Sequence, residues 1–323
     1  MPSSSALVLV LAGIGFCASS ALADGDFVRI EGGTFLMGSQ SHYREERFEH
    51  EVTVAPFLIR TTEVTNADFA AFVKATGYVT TAEKDLDPEE HPAFSGDLLK
   101  AGSMVFAQPL QQVDLNDFRH WWRYVPGADW RHPQGPESSI DGLEDHPVVQ
   151  VSPDDARAYA RWAGGRLPTE AEWEFAARGG LDGADYTWGE TYDPSQGWKA
   201  NTWQGVFPSI DTAEDGYHGS APAGSFEPNG YGLYDMAGNV WEHVADWWVP
   251  GHPNKAATDP SGPPVELAAQ FAHEAVGPMH VVKGGSWLCA PSYCLRYRPS
   301  ARQHAERSLG SNHIGFRIVQ DVE

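Results

Sequence analysis

Arg166-Leu167-Pro168-Thr169-Glu170-Ala171-Glu172-Trp173-Glu174 is the stretch from which the rest of the chain can be ordered. Thr169 and Glu172 form a capping box: the hydroxyl takes the N3 amide and the carboxylate returns to the N-cap amide, so each covers a donor the new helix leaves open. Gly179-Gly180 closes that helix. The helix before it is marked equally well. Ser152 is its N-cap, Pro153 fits the first helical position, and Asp154 and Asp155 suit the positive end of the dipole. Gly164-Gly165 ends it after Trp162-Ala163.

Towards the N-terminus the pattern turns to strands. Phe27–Ile30 and residues 34–37 flank a Gly32-Gly33 turn, and Val52, Val54 and Leu58-Ile59 predict another strand. Asn66 caps a helix that runs to about Thr76 and stops at Gly77. Towards the C-terminus, strands are expected at 281–283 and 315–319. Residues 83–146 and 249–279 are long excursions rich in Pro, Gly and polar residues, a length that marks functional or disordered loops. No repeat of fixed period is evident. The expectation is one α+β domain with little regular secondary structure, over residues 24–323.

The formal charge of −22 argues against nucleic acid or an anionic membrane surface as partner, because both require a basic footprint. Residues 6–16 form an apolar run too short to span a bilayer, and Ala21-Leu22-Ala23 supplies a small-x-small cleavage pattern before Asp24. Residues 1–23 therefore read as a secretory signal peptide, although no Lys or Arg stands near the start. Export to a periplasm or beyond is expected, or a cytoplasmic place if the leader does not function. After its removal no membrane contact is expected, and the protein is expected to be a monomer.

Of 13 histidines, His273-Glu274 comes nearest to the helical zinc pattern but lacks its second histidine, and Pro278 would break the helix. The histidines read as scattered loop and surface residues. There is no Gly-x-Ser-x-Gly elbow, P-loop or dinucleotide fingerprint. Three cysteines occur, and Cys17 lies in the leader, which leaves Cys289 and Cys294. A structural disulfide, a soft-metal site and a redox couple all remain open for this pair. A loop so short gains only about 2 kcal/mol in the chain-entropy account, and Arg296 and Arg298 nearby favour thiolates. Two thiolates cannot complete tetrahedral zinc, whereas Cu(I) accepts low coordination. Two further clusters set carboxylates and amides on Gly-containing turns: Asn201-Thr202-Trp203-Gln204-Gly205 with Asp211 and Asp215-Gly216-Tyr217, and Asp235-Met236-Ala237-Gly238-Asn239-Val240-Trp241-Glu242. Calcium uses such oxygen-only sets, and plain turn chemistry explains them as well.

Taken together, these segments resemble the formylglycine-generating enzymes. The likeness runs from Gly32-Gly33-Thr34-Phe35-Leu36-Met37-Gly38 through Trp130-Arg131-His132-Pro133, Arg166–Glu174 and Asn229-Gly230-Tyr231-Gly232-Leu233-Tyr234 to Gly315-Phe316-Arg317. The specific part is Gly284-Gly285-Ser286-Trp287-Leu288-Cys289-Ala290-Pro291-Ser292-Tyr293-Cys294-Leu295-Arg296-Tyr297-Arg298. The other segments mark only the wider superfamily, which includes maturation factors, binding modules and oxidoreductases acting on small thiols.

The resemblance implies a C-type-lectin-like fold. It also implies an O₂-dependent oxidase that turns the cysteine of Cys-x-Pro-x-Arg in an unfolded sulfatase into Cα-formylglycine, releasing sulfide. By the same likeness Cys289 and Cys294 hold Cu(I) and the substrate thiolate joins as a third ligand. Ser286 matches an active-site serine, and Tyr293, Arg296 and Trp241 match pocket-lining positions. Asn201, Thr202, Asp215 and Tyr217 match one structural calcium site; Asp235, Gly238, Val240 and Glu242 match a second. Two other functions remain: a non-catalytic binding or maturation module with a Cys289–Cys294 disulfide, and a small-thiol oxidoreductase. The latter would favour a His-based iron site that the sequence does not display.

Overall fold

Helix α1, Asn66–Thr76, begins at a capping box built by Thr65 and Asp68 and ends at Gly77 in the left-handed conformation. The cap thus lies one residue before Asn66. Asn66 instead donates its side-chain amide to the Leu143 carbonyl at 2.8 Å. Helices α2, Pro153–Trp162, and α3, Glu170–Arg178, start at the Ser152 and Thr169 boxes. The computed structural model describes residues 26–89, 91–92, 94–272 and 276–322. The leader at 1–23, Cys17 and His273-Glu274 lie outside the described residues.

The strands fall into small sheets. A four-stranded sheet runs in the order Arg302–Ala305, His280–Lys283, Trp241–Trp247, Ile314–Gly315, the last pairing parallel and the others antiparallel. A three-stranded antiparallel sheet places Phe27–Ile30 and Val319–Asp321 on either side of Phe57–Arg60, which draws the two ends of the described chain together. Gly33–Met37, His50–Val54 and Ala257–Thr258 form a mixed three-stranded sheet, the first pair antiparallel and the second parallel. The single strand expected at 52–59 is two, His50–Val54 and Phe57–Arg60, and they belong to different sheets. The strand expected at 315–319 is likewise divided: Ile314–Gly315 pairs with Trp241–Glu242, and Val319–Asp321 pairs with Phe57–Ile59. Between them Phe316 and Ile318 are buried as the chain crosses from one sheet to the next.

The core is continuous in kind though divided in place. Trp173, Phe175 and Ala176 of α3 pack against Val52, Ile59, Val244 and Val281. Phe69, Phe72, Tyr159 and Phe316 build an aromatic group between α1 and α2. Each such side chain contributes about 1.5–3 kcal/mol on burial, so little regular structure suffices. The 83–146 excursion is not formless: it carries a hairpin, Gly102–Phe106 with Trp122–Pro126, whose Phe106 enters a third aromatic cluster with Trp121, Trp203, Phe207 and Trp287. The result is one compact, loop-rich α+β domain. Among the described residues no helix is long and apolar enough to cross a membrane.

Candidate active site: a paired-thiol cleft

Strand His280–Lys283 is wholly buried and delivers the chain into Gly284 and Gly285, both at positive φ (94° and 75°). A Cβ at Gly285 would lie 2.9 Å from the Arg296 carbonyl, so glycine is required for the chain to double back on itself. Two tight turns follow. Cys289 N donates to Ser286 O at 2.8 Å, and Tyr293 and Cys294 N both donate to Ala290 O at 3.1 and 2.8 Å. These turns bring Cys289 Sγ and Cys294 Sγ to 2.8 Å without a disulfide between them. A disulfide bond would be about 2.05 Å long.

The two thiols differ. Burial raises the Cys289 thiol well above its ordinary value, and the neighbouring Cys294 adds to that. Cys294 is lowered, first by its hydrogen bond with Cys289 and then, against burial, by the Arg296 guanidinium. Arg296 Nη1 stands 3.9 Å from Cys294 Sγ, its Nη2 pairs with Glu45 at 2.7 Å, and the group lies over the Tyr43 ring at 3.8 Å. Arg298 does not assist. It is fully buried and bound to both carboxylate oxygens of Glu46. The sequence expectation of two arginines favouring two thiolates is thereby corrected to one arginine and one favoured thiolate.

The sulfurs lie in a cleft of about 320 Å³ lined also by Ser286, Tyr293, Arg296, Trp241 and His313. All six residues singled out from the sequence are therefore together. Tyr293 stacks on Phe207 at 4.3 Å and meets Trp121 edge-on at 5.6 Å, which fixes one wall. Trp241 is buried, and its backbone N–H donates to His313 O at 2.9 Å. Ser286 Oγ receives the Leu288 N–H at 3.3 Å and lies 3.2 Å from His313 Nδ1.

Both oxygen-rich clusters are wired to this loop. Trp203 N donates to Cys289 O, Asn239 N to Asn201 O, and Trp287 N to Asn239 O, at 3.1, 2.9 and 2.8 Å. In the first cluster the Gln204 side-chain nitrogen bridges Thr202 O and Asp215 Oδ2, and Asp215 also receives the N–H groups of Thr202 and Tyr217. In the second, Glu242 is committed to Arg317 through two 2.7 Å contacts and to Trp173 Nε1 at 2.8 Å. Asp235 Oδ1, by contrast, is buried without a partner, and so is Glu63 Oε2. Burial raises both carboxyls; Asp235 raises Glu63 further, whereas hydrogen bonding to Glu63 works against the rise at Asp235. Asn239 Nδ2 donates to Glu63 Oε1 at 3.0 Å while its Oδ1 takes Asn201 Nδ2 at 3.1 Å, so one amide joins the two clusters. Among the described residues no three His, Cys, Asp or Glu side chains converge as a metal site, so any cation here relies on backbone and amide oxygens as well.

The family model for the sulfatase-modifying factor enzyme 1-like domain matches residues 18–322. The chain belongs to this family. It is 49% identical over 296 residues to the formylglycine-generating enzyme of Mycobacterium tuberculosis, covering 92% of this chain and 98% of that one. It is also 40% identical to the inactive C-alpha-formylglycine-generating enzyme 2 of Mus musculus, covering 93% and 87%. PvdO from Pseudomonas aeruginosa shares the fold at a TM-score of 0.60 and 26% identity, covering 92% and 94%. Since a relative named inactive also matches most of the chain at 40% identity, the residues of the cleft must carry the functional reading.

Within this sulfatase-modifying factor enzyme 1-like chain, two site residues escaped the sequence. His313 was grouped with surface histidines, yet it lines the cleft; His243, His252 and His280 are buried as well. The available signal was its place just before Ile314-Gly315, the strand that pairs with Trp241-Glu242. Glu63 precedes the α1 capping box and carries no spacing signal; only the folded chain brings it to Asp235.

Proposed function

We propose that this chain oxidises a cysteine of unfolded sulfatases, within Cys-x-Pro-x-Arg, to Cα-formylglycine. The observation that carries the reading is the unbonded Cys289–Cys294 pair, 2.8 Å apart in a cleft with no third protein ligand among the described residues. That donor set suits a soft ion of low coordination and leaves a position for a third sulfur. Cys289 and Cys294 would hold Cu(I), whose chemistry at this site is the reaction with O₂. Arg296 favours the charged form of Cys294; Trp241, Tyr293 and Phe207 exclude water from the cleft. Ser286 offers a hydrogen-bonding oxygen beside the pair.

Calcium would serve the scaffold. Asn201, Thr202, Asp215 and Tyr217 supply one oxygen set, in which a cation would take the place of the Gln204 amide nitrogen. Asp235, Gly238, Val240 and Glu242 supply the other, and Glu63 joins it through the unpartnered Oε2 that faces the same need as Asp235 Oδ1. Residues 1–23 would direct export, and the substrate would then meet the cleft unfolded, with the pair kept reduced.

The test is to incubate the Cu(I)-loaded protein and O₂ with a peptide containing Cys-Thr-Pro-Ser-Arg and weigh the product. Conversion of thiol to aldehyde that is lost in Cys289→Ser and Cys294→Ser supports the reading. No conversion with copper demonstrably bound overturns it.

A further inference from the structure

His313 has no assigned part in the cleft, and its geometry gives it one. Its Nδ1 lies 3.2 Å from Ser286 Oγ. The ring packs against Trp122, centroids 4.8 Å apart, which sets its orientation. Its backbone is held by the parallel pairing of Ile314–Gly315 with Trp241-Glu242 and by the Trp241 N–H on its carbonyl. Burial holds the imidazole down to about 3, so the ring is neutral at neutral pH and has one donor and one acceptor nitrogen.

We propose that His313 is a positioning residue for Ser286: Nδ1 accepts the Ser286 hydroxyl proton and thereby fixes what Ser286 offers the cleft. Ser286 Oγ already receives the Leu288 N–H. A hydroxyl has one donor and two acceptor sites. With its proton committed to His313 and one lone pair to Leu288, a single lone pair remains. Ser286 is therefore an acceptor towards the cleft, suited to an incoming S–H or a water, and is not a donor. The opposite ring tautomer would reverse that, releasing the hydroxyl proton into the cleft. The hydrogen on Nε2, the intrinsically preferred position in neutral imidazole, is the state that leaves Nδ1 free to accept. The inference rests on the proposed oxidation of a substrate thiol in this cleft.

Two measurements decide it. The first is ¹⁵N-histidine NMR on the full, copper-free chain, which needs neither metal nor turnover and stands even if the wild type converts no peptide. The expected result is an unprotonated, hydrogen-bonded His313 Nδ1 whose resonance moves towards that of a bare acceptor in Ser286→Ala. A protonated Nδ1, or a resonance indifferent to Ser286→Ala, overturns the proposal. The second is a kinetic cycle with the Cys-Thr-Pro-Ser-Arg peptide. His313→Ala should lower kcat by roughly ten- to a hundredfold, the size usual for residues that orient a primary group, with KM and Cu(I) affinity unchanged. His313→Asn, whose side-chain oxygen can accept the same proton, should recover most of the loss. In a Ser286→Ala background His313→Ala should have no further effect. Effects that multiply would show that His313 does not act through Ser286, and would overturn the assignment.

Discussion

Lys283 and Ser286 are three residues apart and stand in opposite electrostatic surroundings. Lys283 is fully buried, with Nζ 2.9 Å from Glu174 Oε2 and 3.6 Å from Glu170 Oε1. Arg302 binds Glu170 through two contacts of 2.7 and 2.8 Å, and Glu174 also takes Arg178 at 2.7 Å and the Gly38 N–H at 2.8 Å. Burial alone would raise the Glu174 carboxyl, yet Lys283 and Arg178 hold it down to about 2. Each charge there has its partner. In the cleft just beyond Gly285, two sulfurs share one guanidinium, 3.9 Å from Cys294 Sγ, and Ser286 and His313 beside them are neutral. A network of paired charges fixes a fold. A cleft whose sulfurs keep unused binding capacity is where a ligand is to be expected.

The largest effect that would sharpen this contrast is Cys294→Ser. It should lower formylglycine formation by about a thousandfold or more, about 4 kcal/mol in barrier, while the thermal midpoint stays within a few degrees. A variant that also unfolds would show that the cleft belongs to the scaffold after all. The converse is Glu174→Ala. Removing Glu174 takes the carboxylate from Arg178 and leaves Lys283 only the longer contact with Glu170; breaking a buried pair typically costs about 3–5 kcal/mol, read by urea unfolding, while kcat of the folded fraction is unchanged. Equal losses of activity per folded molecule in both variants would break the distinction.

The sequence made one half of this contrast more legible than the other. Helix starts were readable because a capping box is local: Thr169 and Glu172 satisfy each other within one turn. The cysteine loop was readable as a contiguous motif whose role the family resemblance supplied, and Ser286 and Cys294 are joined by two local turns even though Trp203 and Asn239 also brace the loop. What escaped depends on contacts between remote segments. Glu46 holds Arg298, Glu63 meets Asp235, and His313 reaches Ser286 through a sheet pairing. The strand expected at 315–319 failed likewise, because alternation cannot show that one run changes sheet midway.

Between the charge-paired network and the cleft stand the oxygen clusters, where Asp235 and Glu63 each leave a buried carboxylate oxygen without a partner. If calcium fills that need, chelation should lower stability by about 2.7 kcal/mol relative to protein held at a hundred times the dissociation constant. Glu63→Gln should remove most of that difference in calorimetry. The same midpoint with and without chelator would place this cluster with the scaffold and end the case for a cation.

The smallest effect concerns pH, and it probes the scaffold side alone. His280 is buried against Trp247, its Nδ1 3.1 Å from the Arg157 guanidinium. Burial first, and Arg157 second, hold its ring down to about 3, against an ordinary 6.5. A base with a depressed folded pKa takes up its proton only on unfolding. Above about pH 6.5 neither state is protonated and the group contributes nothing to pH dependence. As pH falls from there, the unfolded state gains and stability drops by about 1.4 kcal/mol per unit, the slope ending only near the folded value. Asp246 works the other way, since burial and Glu170 raise it to about 7 and the native state then binds its proton first. That contribution is common to both proteins when His280→Gln is compared with wild type. Between pH 6.5 and 5 the variant should therefore lose about 2 kcal/mol less than wild type in urea unfolding, with no change in how the cleft's activity varies over that range. Parallel stability curves would mean that His280 is charged in the fold, and that the scaffold is less completely neutralised than the Lys283 network implies.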